Sequence, residues 1–328
     1  VHSLGLKFGI HIMRGVPRKA VYARCPVKGT ELTCRDIAHR NDNCSWNTDM
    51  YGVDCMRPGA QEYYDSIFEL YAQWGVDYVK VDDISFPYHG GEIELVHNAI
   101  EHSGRDIVLS LSCGPAPREK AEHLCRFANL WRTTGDFWDD WNDLYQAFEI
   151  CHQGVGGPGH WPDADMLPFG HLALRSTERG WGDRWTHFTQ DEQIALMTLW
   201  CLFRSPLMVG AELNDNDEFT LNLLTNDEVL ALLSESRNAR QVYREERYNY
   251  AGEVIVWQAE NEQGETYCAV FNCGPKARKL AVQLSSALGL EGSYTGRDLW
   301  AHEEIPVGRA LEVEVPSHGA RLVKLTKK

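Results

Sequence analysis

The feature that most constrains the fold of this chain is an alternation of short apolar runs with helical patterns. The apolar runs are Lys7–Ile12, Tyr78–Val81, Ile107–Leu111, Leu130–Thr133 and Pro206–Val209. The helical patterns are Ala60–Trp74, Glu92–Ser103, Pro117–Phe127, Trp141–Gln153 and Thr189–Phe203. Continuous apolar runs are typical of parallel strands buried on both faces. Their alternation with helices predicts an α/β fold with a parallel sheet or barrel.

The pattern changes near Arg237. Short strand-like runs then follow one another with turn residues between them: Glu253–Gln258, Thr266–Asn272, Lys279–Leu284, Leu311–Val315 and residues 318–325. No strong helical pattern interrupts them, which favours a small antiparallel β-sandwich. We therefore predict a barrel domain over residues 1–237 and a sandwich domain over residues 238–328.

The charge balance excludes several classes of partner. The chain carries 32 Lys and Arg against 47 Asp and Glu, a formal net charge of −15. Nucleic-acid binding and anionic membrane surfaces need basic patches, so neither partner is expected. No apolar run approaches the roughly 18–20 residues of a membrane span. A neutral ligand such as a sugar is compatible with this charge.

The ten cysteines are scattered and show neither a CxxC pair nor a zinc-type Cys/His spacing. No metal site is therefore predicted. Disulfides are an open alternative for the four cysteines between Cys25 and Cys55, but reduced thiols are favoured. The opening residues Val1–Lys7 are typical of a helix end, capped by Gly5, that runs into a strand. We expect the natural chain to begin earlier, and both a cytoplasmic and a secreted location stay open.

Polar residues follow the predicted strands where a parallel barrel carries its active site, at the C-terminal strand ends. Asp82 follows Tyr78–Val81, and Asp136 follows the run that begins at Leu130. Lys80 and Asp82 share one strand face, so the lysine should lower the carboxylate pKa. A purely structural salt bridge is the alternative. Two carboxylates on different strands suit glycoside hydrolysis, where one attacks the anomeric carbon and the other transfers the proton.

The order of three motifs makes the chain resemble glycoside hydrolase family 27. They are Gly75–Asp82, Trp131–Asp136 and Gly157–Leu167, and His2–His11 and Ser205–Met208 resemble two further strands of that family. The family contains α-galactosidases and α-N-acetylgalactosaminidases. The resemblance covers about residues 1–235 and implies a (β/α)8 TIM barrel, whose first two strands would precede Val1, followed by the sandwich.

The resemblance also implies site residues, by matching motifs. It makes Asp82 the nucleophile and Asp136 the acid/base, and it needs no metal or organic cofactor. It implies sugar-binding roles for Lys80, Arg132, Asp165 and Met166. Asp139 and Asp140 compete with Asp136 but are expected to be solvated helix caps.

Two departures from the family pattern bear on the substrate. Ser112 takes the place of a glutamate that binds a 2-hydroxyl, which leaves room for a 2-acetamido group. His11 replaces a tyrosine and either donates to the sugar or is structural. The leading hypothesis is a retaining hydrolase of terminal α-D-galactosyl residues. The alternatives are an α-N-acetylgalactosaminidase, a β-L-arabinopyranoside or isomaltose-type glucan hydrolase, and a non-catalytic sugar-binding barrel. The sequence does not predict the oligomeric state.

Overall fold

A computed structural model describes residues 1–154, 156–157, 159–176, 182–245 and 253–328. Pro158, in the third motif, and Val155, shortly before that motif, lie outside the described residues. The chain divides into two compact units. Unit 1 comprises residues 1–136 and 155–163, and unit 2 comprises residues 137–154 and 164–328.

Unit 1 contains a parallel sheet, helices and a small antiparallel sheet. Its elements are β1 (Gly9–Met13), β2 (Val16–Pro17), α1 (Arg18–Ala23), α2 (Cys34–Ile37), β3 (Ala38–His39), β4 (Met50–Val53), α3 (Ala60–Trp74), β5 (Tyr78–Asp82), α4 (Gly90–Ser103), β6 (Val108–Leu111), α5 (Ala121–Phe127), β7 (Leu130–Arg132) and β8 (Trp161–Asp163). Two short 3₁₀ helices lie at His2–Leu4 and Arg118–Lys120. The parallel sheet has the order β1-β5-β6-β7-β8, and the small sheet has the order β2-β4-β3.

The parallel strands match four of the predicted apolar runs within one or two residues. Helix α3 has the predicted bounds because Gly75 ends it in a left-handed conformation, φ 76°, from which its N–H reaches the last helical carbonyls. Val79, Val81 and Leu109 are buried in a core shared with Phe68 of α3 and Val96 of α4. The apolar sequence pattern therefore positions the sheet against its helices.

Unit 2 contains the remaining helices and the C-terminal strands. Its elements are α6 (Trp141–His152), β9 (His171–Leu172), β10 (Arg184–Trp185), α7 (Gln190–Phe203), α8 (Glu218–Leu224), α9 (Asp227–Leu230), α10 (Leu232–Glu235), β11 (Arg237–Arg244), β12 (Val254–Glu260), β13 (Thr266–Asn272), β14 (Arg278–Gln283), α11 (Leu284–Leu288), β15 (Tyr294–Asp298), β16 (Glu303–Ile305), β17 (Ala310–Val315) and β18 (Gly319–Lys327). The predicted strand Pro206–Val209 is wrong in extent, because only Val209 forms a single parallel bridge, to Leu167.

The C-terminal strands form the predicted antiparallel sandwich. Six strands pair in the order β11-β12-β13-β18-β15-β16, and β14 pairs with β17. Alternate residues of β12 enter two cores: Val254 and Val256 join Leu311 of β17, whereas Trp257 packs with residues of α6 and α7. Both faces of the larger sheet are thus covered, which explains why β13 is buried along its whole length. The division at residues 237 and 238 stays a prediction.

Two global properties bear on the sequence predictions. In the described residues, no helix combines the length and apolar character that a membrane crossing requires. The four cysteines for which a disulfide was the open alternative, Cys25, Cys34, Cys44 and Cys55, are free thiols.

Candidate active site

The C-terminal end of β5 carries the predicted nucleophile. Val79 and Val81 are fully buried in the core of unit 1, so Lys80 and Asp82 point to the opposite face of the strand. The shared face of these two side chains was the basis of the prediction and is present. The Asp82 side chain is only 14% exposed.

Both carboxylate oxygens of Asp82 have a hydrogen-bond partner. His11 lies on β1, the strand next to β5, and its Nε2 is 3.1 Å from Asp82 Oδ2. The backbone N–H of Asp83 donates to Asp82 Oδ1 over 2.8 Å. The sequence left open whether His11 donates to the sugar or is structural, and it did not predict the contact with Asp82 that the structure shows.

The surroundings of Asp82 favour its ionised form. Burial of the carboxyl group opposes ionisation, but the His11 hydrogen bond, the Asp83 N–H and the charges of His11 and Lys80 outweigh it. The pKa of Asp82 therefore lies below its ordinary value. The sequence predicted a lowered pKa for Asp82 because of Lys80. In the structure, His11 lowers this pKa more than Lys80 does.

The end of β7 carries the predicted acid/base and the arginine. The Arg132 side chain is 3% exposed, and its Nη2 lies 3.3 Å from Asp136 Oδ1 and also donates to the Gly135 carbonyl. The Asp136 side chain is 76% exposed. An exposed carboxyl beside a single buried cation can exchange protons with solvent and with a bound substrate.

Ser112 lies directly beside the end of β5. Its N–H donates to the Val81 carbonyl and its own carbonyl accepts from the Ile84 N–H, both over 2.9 Å. Ser112 is buried. The structure thus brings His11, Lys80, Asp82 and Ser112 together on neighbouring strands of one sheet.

Asp165 and Met166 belong to unit 2. Asp165 Oδ2 accepts the Phe137 N–H over 2.8 Å, and its carbonyl accepts the indole N–H of Trp200 over 2.9 Å. The Met166 side chain covers Gly210 so closely that a Cβ there would lie 2.5 Å from Met166 Sδ. Their role at the floor of a sugar site stays a prediction.

The two aspartates that compete with Asp136 differ from each other. Asp140 is exposed and caps α6, accepting the Asn142 N–H over 2.7 Å, as predicted. The same prediction for Asp139 is wrong, because Asp139 is buried and pairs with Arg184 Nη2 over 2.6 Å. Arg184 lies on β10, 45 residues after Asp139, and the spacing of residues in the sequence does not reveal that the two side chains pair.

Among the described residues, one group has a spacing compatible with a metal ion. Asp42, His89 and Glu92 place ligand atoms within 4.8 Å of one another. The guanidinium group of Arg14 already donates to both carboxylates, at 2.8 Å to each. This cluster therefore holds a cation of the protein itself. The sequence reasoning missed Arg14, whose partners lie 28 to 78 residues away in the chain.

Comparison with known proteins identifies the family of this site. Residues 23–235 match the family model described as alpha galactosidase A, and residues 251–325 match the alpha galactosidase C-terminal beta sandwich domain. The crystal structure of a β-L-arabinopyranosidase of glycoside hydrolase family 27 from Geobacillus stearothermophilus is 52% identical, with a TM-score of 0.94. The chain belongs to glycoside hydrolase family 27. Its fold is accordingly of the TIM-barrel type followed by a β-sandwich, and the relatives that it matches are named as glycosidases.

Members of family 27 with different names are similar to this chain. The Geobacillus match covers 99% of this chain and 75% of that one. A protein from Bacillus halodurans C-125, provisionally named an α-N-acetylgalactosaminidase, is 46% identical, covering 100% of this chain and 76% of that one, with a TM-score of 0.86. An α-galactosidase from Oryza sativa subsp. japonica is 27% identical over 82% of this chain, which spans 61% of the rice protein.

Proposed function

We propose that the protein is a retaining glycosidase of terminal β-L-arabinopyranosides, with Asp82 as nucleophile and Asp136 as acid/base. The observation that carries the proposed mechanism is the contrast in environment between the two carboxylates. Asp82 is buried, hydrogen-bonded at both oxygens and low in pKa, whereas Asp136 is exposed beside Arg132. The 52% identity to a β-L-arabinopyranosidase supports the choice of sugar.

The mechanism is a double displacement. Asp82 Oδ attacks the anomeric carbon while Asp136 gives its proton to the departing glycosidic oxygen, and a covalent glycosyl-enzyme forms. Asp136, now ionised, takes a proton from water, the resulting hydroxide attacks the same carbon, and the Asp82 carboxylate leaves. Retaining pairs of carboxyl groups lie about 5–5.5 Å apart.

Three side chains support these steps. The hydrogen bond from His11 keeps Asp82 ionised before attack. Lys80 shares the strand face of Asp82 and is proposed to bind the sugar. The buried guanidinium of Arg132 stabilises the anion that Asp136 becomes after it has protonated the leaving group. Asp165, Met166 and Ser112 are proposed to contact the sugar.

A terminal α-D-galactoside is the second candidate substrate. β-L-Arabinopyranose has the ring configuration of α-D-galactopyranose and lacks only the hydroxymethyl group on C5, so one catalytic pair suits both sugars. The match to the alpha galactosidase A family model and the rice relative favour the galactoside. Ser112 and the Bacillus halodurans relative favour an N-acetylgalactosaminide.

The deciding experiment compares p-nitrophenyl glycosides of β-L-arabinopyranose, α-D-galactose and α-N-acetylgalactosamine on the full-length protein, with Asp82→Asn as control. We expect the highest kcat/KM on the arabinopyranoside. A higher value on either other sugar would replace the proposed substrate while keeping the mechanism. Absence of hydrolysis on all three, with sugar binding retained, would favour the non-catalytic barrel. Proton NMR of the first product anomer tests retention.

A further inference from the structure

Arg14 is a buried arginine that the proposed mechanism does not use. It follows β1 directly, and its side chain is 3% exposed. Each nitrogen of the guanidinium group has an acidic or carbonyl partner. Nε donates to the Asp83 carbonyl over 2.5 Å, Nη1 donates to Glu92 over 2.8 Å, and Nη2 donates to Asp42 over 2.8 Å. Nη2 also lies 3.1 Å from the Asp83 carboxylate. Such saturation fixes the orientation of a planar group.

Arg14 binds two successive carbonyl groups of the turn at Asp82, one through its backbone and one through its side chain. Its backbone N–H donates to the Asp82 carbonyl over 3.1 Å, and its side chain holds the next carbonyl, that of Asp83. Asp83 has a left-handed backbone, φ 56°, which costs free energy for a residue with a Cβ. In the same turn, the Asp83 N–H donates to Asp82 Oδ1. One side chain therefore holds the turn that holds the nucleophile.

The opposite side of the Arg14 guanidinium is anchored in the helices of unit 1. Glu92 of α4 accepts from Arg14 and also from the hydroxyl of Tyr64 on α3, over 2.5 Å. The Tyr64 hydroxyl in turn accepts the Gly15 N–H over 2.9 Å. The turn after Asp82 is thus connected to two helices of the core through Arg14.

Arg14 stays charged in this position. Burial opposes its charge, but the hydrogen bond to Asp42 and the charges of Glu92, Asp42 and Asp83 raise the pKa of Arg14 above its ordinary value. A buried ion network is weak evidence for stability, because desolvation offsets much of the attraction between the charges. Its contact with the turn after Asp82 suggests a second role.

We propose that Arg14 is a positioning residue for the glycosidic reaction, which acts by fixing the left-handed Asp83 turn so that the Asp82 carboxylate stays aligned for attack. This inference rests on the proposed role of Asp82 as nucleophile. The group that attacks must be held near its reacting geometry, and small misplacements are costly in rate. Arg14 does not touch the sugar in this account.

The test is Arg14→Lys, which keeps a buried positive charge but cannot contact Asp83, Asp42 and Glu92 together. We expect kcat to fall about 10- to 100-fold with KM little changed, because misalignment affects attack and not binding. The acidic limb of kcat/KM should move to higher pH, because the Asp83 N–H no longer favours ionised Asp82 as strongly. Covalent labelling of Asp82 by a 5-fluoro glycosyl fluoride, followed by intact mass, should slow in parallel.

The matched control is Tyr64→Phe, which removes the hydrogen bonds that the Tyr64 hydroxyl makes with Glu92 and with the Gly15 N–H and leaves the contacts of Arg14 with Asp83 in place. It should lower Tm while kcat and the acidic limb stay as in the parent protein. Equal losses of kcat in the two variants at equal Tm would overturn the proposal, because Arg14 would then be structural only. A folded Arg14→Lys protein with parental kcat and pH profile would overturn it as well.

A second variant covers the case in which Arg14→Lys does not fold. Asp83→Asn keeps the backbone N–H and tolerates the left-handed conformation, but it weakens the contact to Arg14. A fall in kcat of a few-fold, with the same movement of the acidic limb, is expected; unchanged values contradict the proposal. Asp82→Asn separates the two hypotheses. If that variant is still labelled and active, the proposed function fails, independently of Arg14.

Discussion

Asp82 is the last residue of β5 and Asp136 follows β7 in the same parallel sheet, yet the surroundings of the two carboxylates are opposite. Asp82 is 14% exposed, and two donors hold its carboxylate. Asp136 is 76% exposed and lies beside one buried guanidinium, that of Arg132. One sheet can thus place the same chemical group in two environments that suit the two proposed roles. Burial with donors suits a fixed, ionised nucleophile, whereas exposure suits a carboxyl that must gain and lose a proton.

The largest expected effect comes from removing the buried member of the pair. Asp82→Asn keeps the shape of the side chain but removes the nucleophile, so kcat should fall on the order of 10⁴-fold or more. The assay is hydrolysis of the best p-nitrophenyl glycoside, with circular dichroism to verify folding. Retention of more than a few per cent of activity would show that Asp82 is not the nucleophile.

Removing the exposed member should have a smaller effect that depends on the leaving group. Asp136→Ala should lower kcat/KM about 10²- to 10⁴-fold on a disaccharide, whose leaving oxygen needs a proton. The loss should be much smaller on a dinitrophenyl glycoside, whose leaving group departs without one. Azide should restore turnover and give a glycosyl azide of retained configuration. A loss independent of the leaving group would argue against the acid/base role.

A smaller effect is expected when the buried carboxylate of Asp82 loses one of its two hydrogen-bond partners. The His11→Ala variant removes the hydrogen bond that lowers the pKa of Asp82 most, so the pKa of Asp82 should rise. Asp82 must be ionised to attack, and a higher pKa requires a higher pH for ionisation. The acidic limb of kcat/KM should therefore move to higher pH, and at a fixed pH on that limb kcat/KM should fall several-fold. The pH profile of the parent protein is the reference, and an unmoved limb would assign His11 a structural role.

The smallest expected effect concerns another exposed carboxylate, close to Asp136 in sequence. Asp140 caps α6 through the Asn142 N–H. Asp140→Ala should cost about 0.5–2 kcal/mol of stability and leave kcat unchanged. Urea unfolding together with the glycosidase assay measures both. A large loss of kcat without loss of stability would move the acid/base role from Asp136 towards Asp140.

Much of the fold could be predicted from the sequence because its signals are local. Apolar runs predicted four strands of the parallel sheet but not β8, and the helical pattern predicted the bounds of α3, since each pattern depends on neighbouring residues. The least accurate strand prediction was Pro206–Val209. Of these four apolar residues, only Val209 forms a β-bridge. An apolar run alone does not determine whether a partner strand lies alongside it.

In the candidate site, too, the features that depend on neighbouring residues could be predicted, whereas the contacts between distant residues could not. The alternation of side chains along a strand was enough to predict that Lys80 and Asp82 share a face, and the order of residues showed an acidic residue at the end of β5 and another after β7. The contact of His11 with Asp82, the pairing of Asp139 with Arg184 and the position of Arg14 among three carboxylates are visible only in the folded chain. Strand order and loop paths set these contacts, which join residues 28 to 78 positions apart. Periodicity along a chain reports which way a side chain points, whereas its partner depends on which distant segment folds against it.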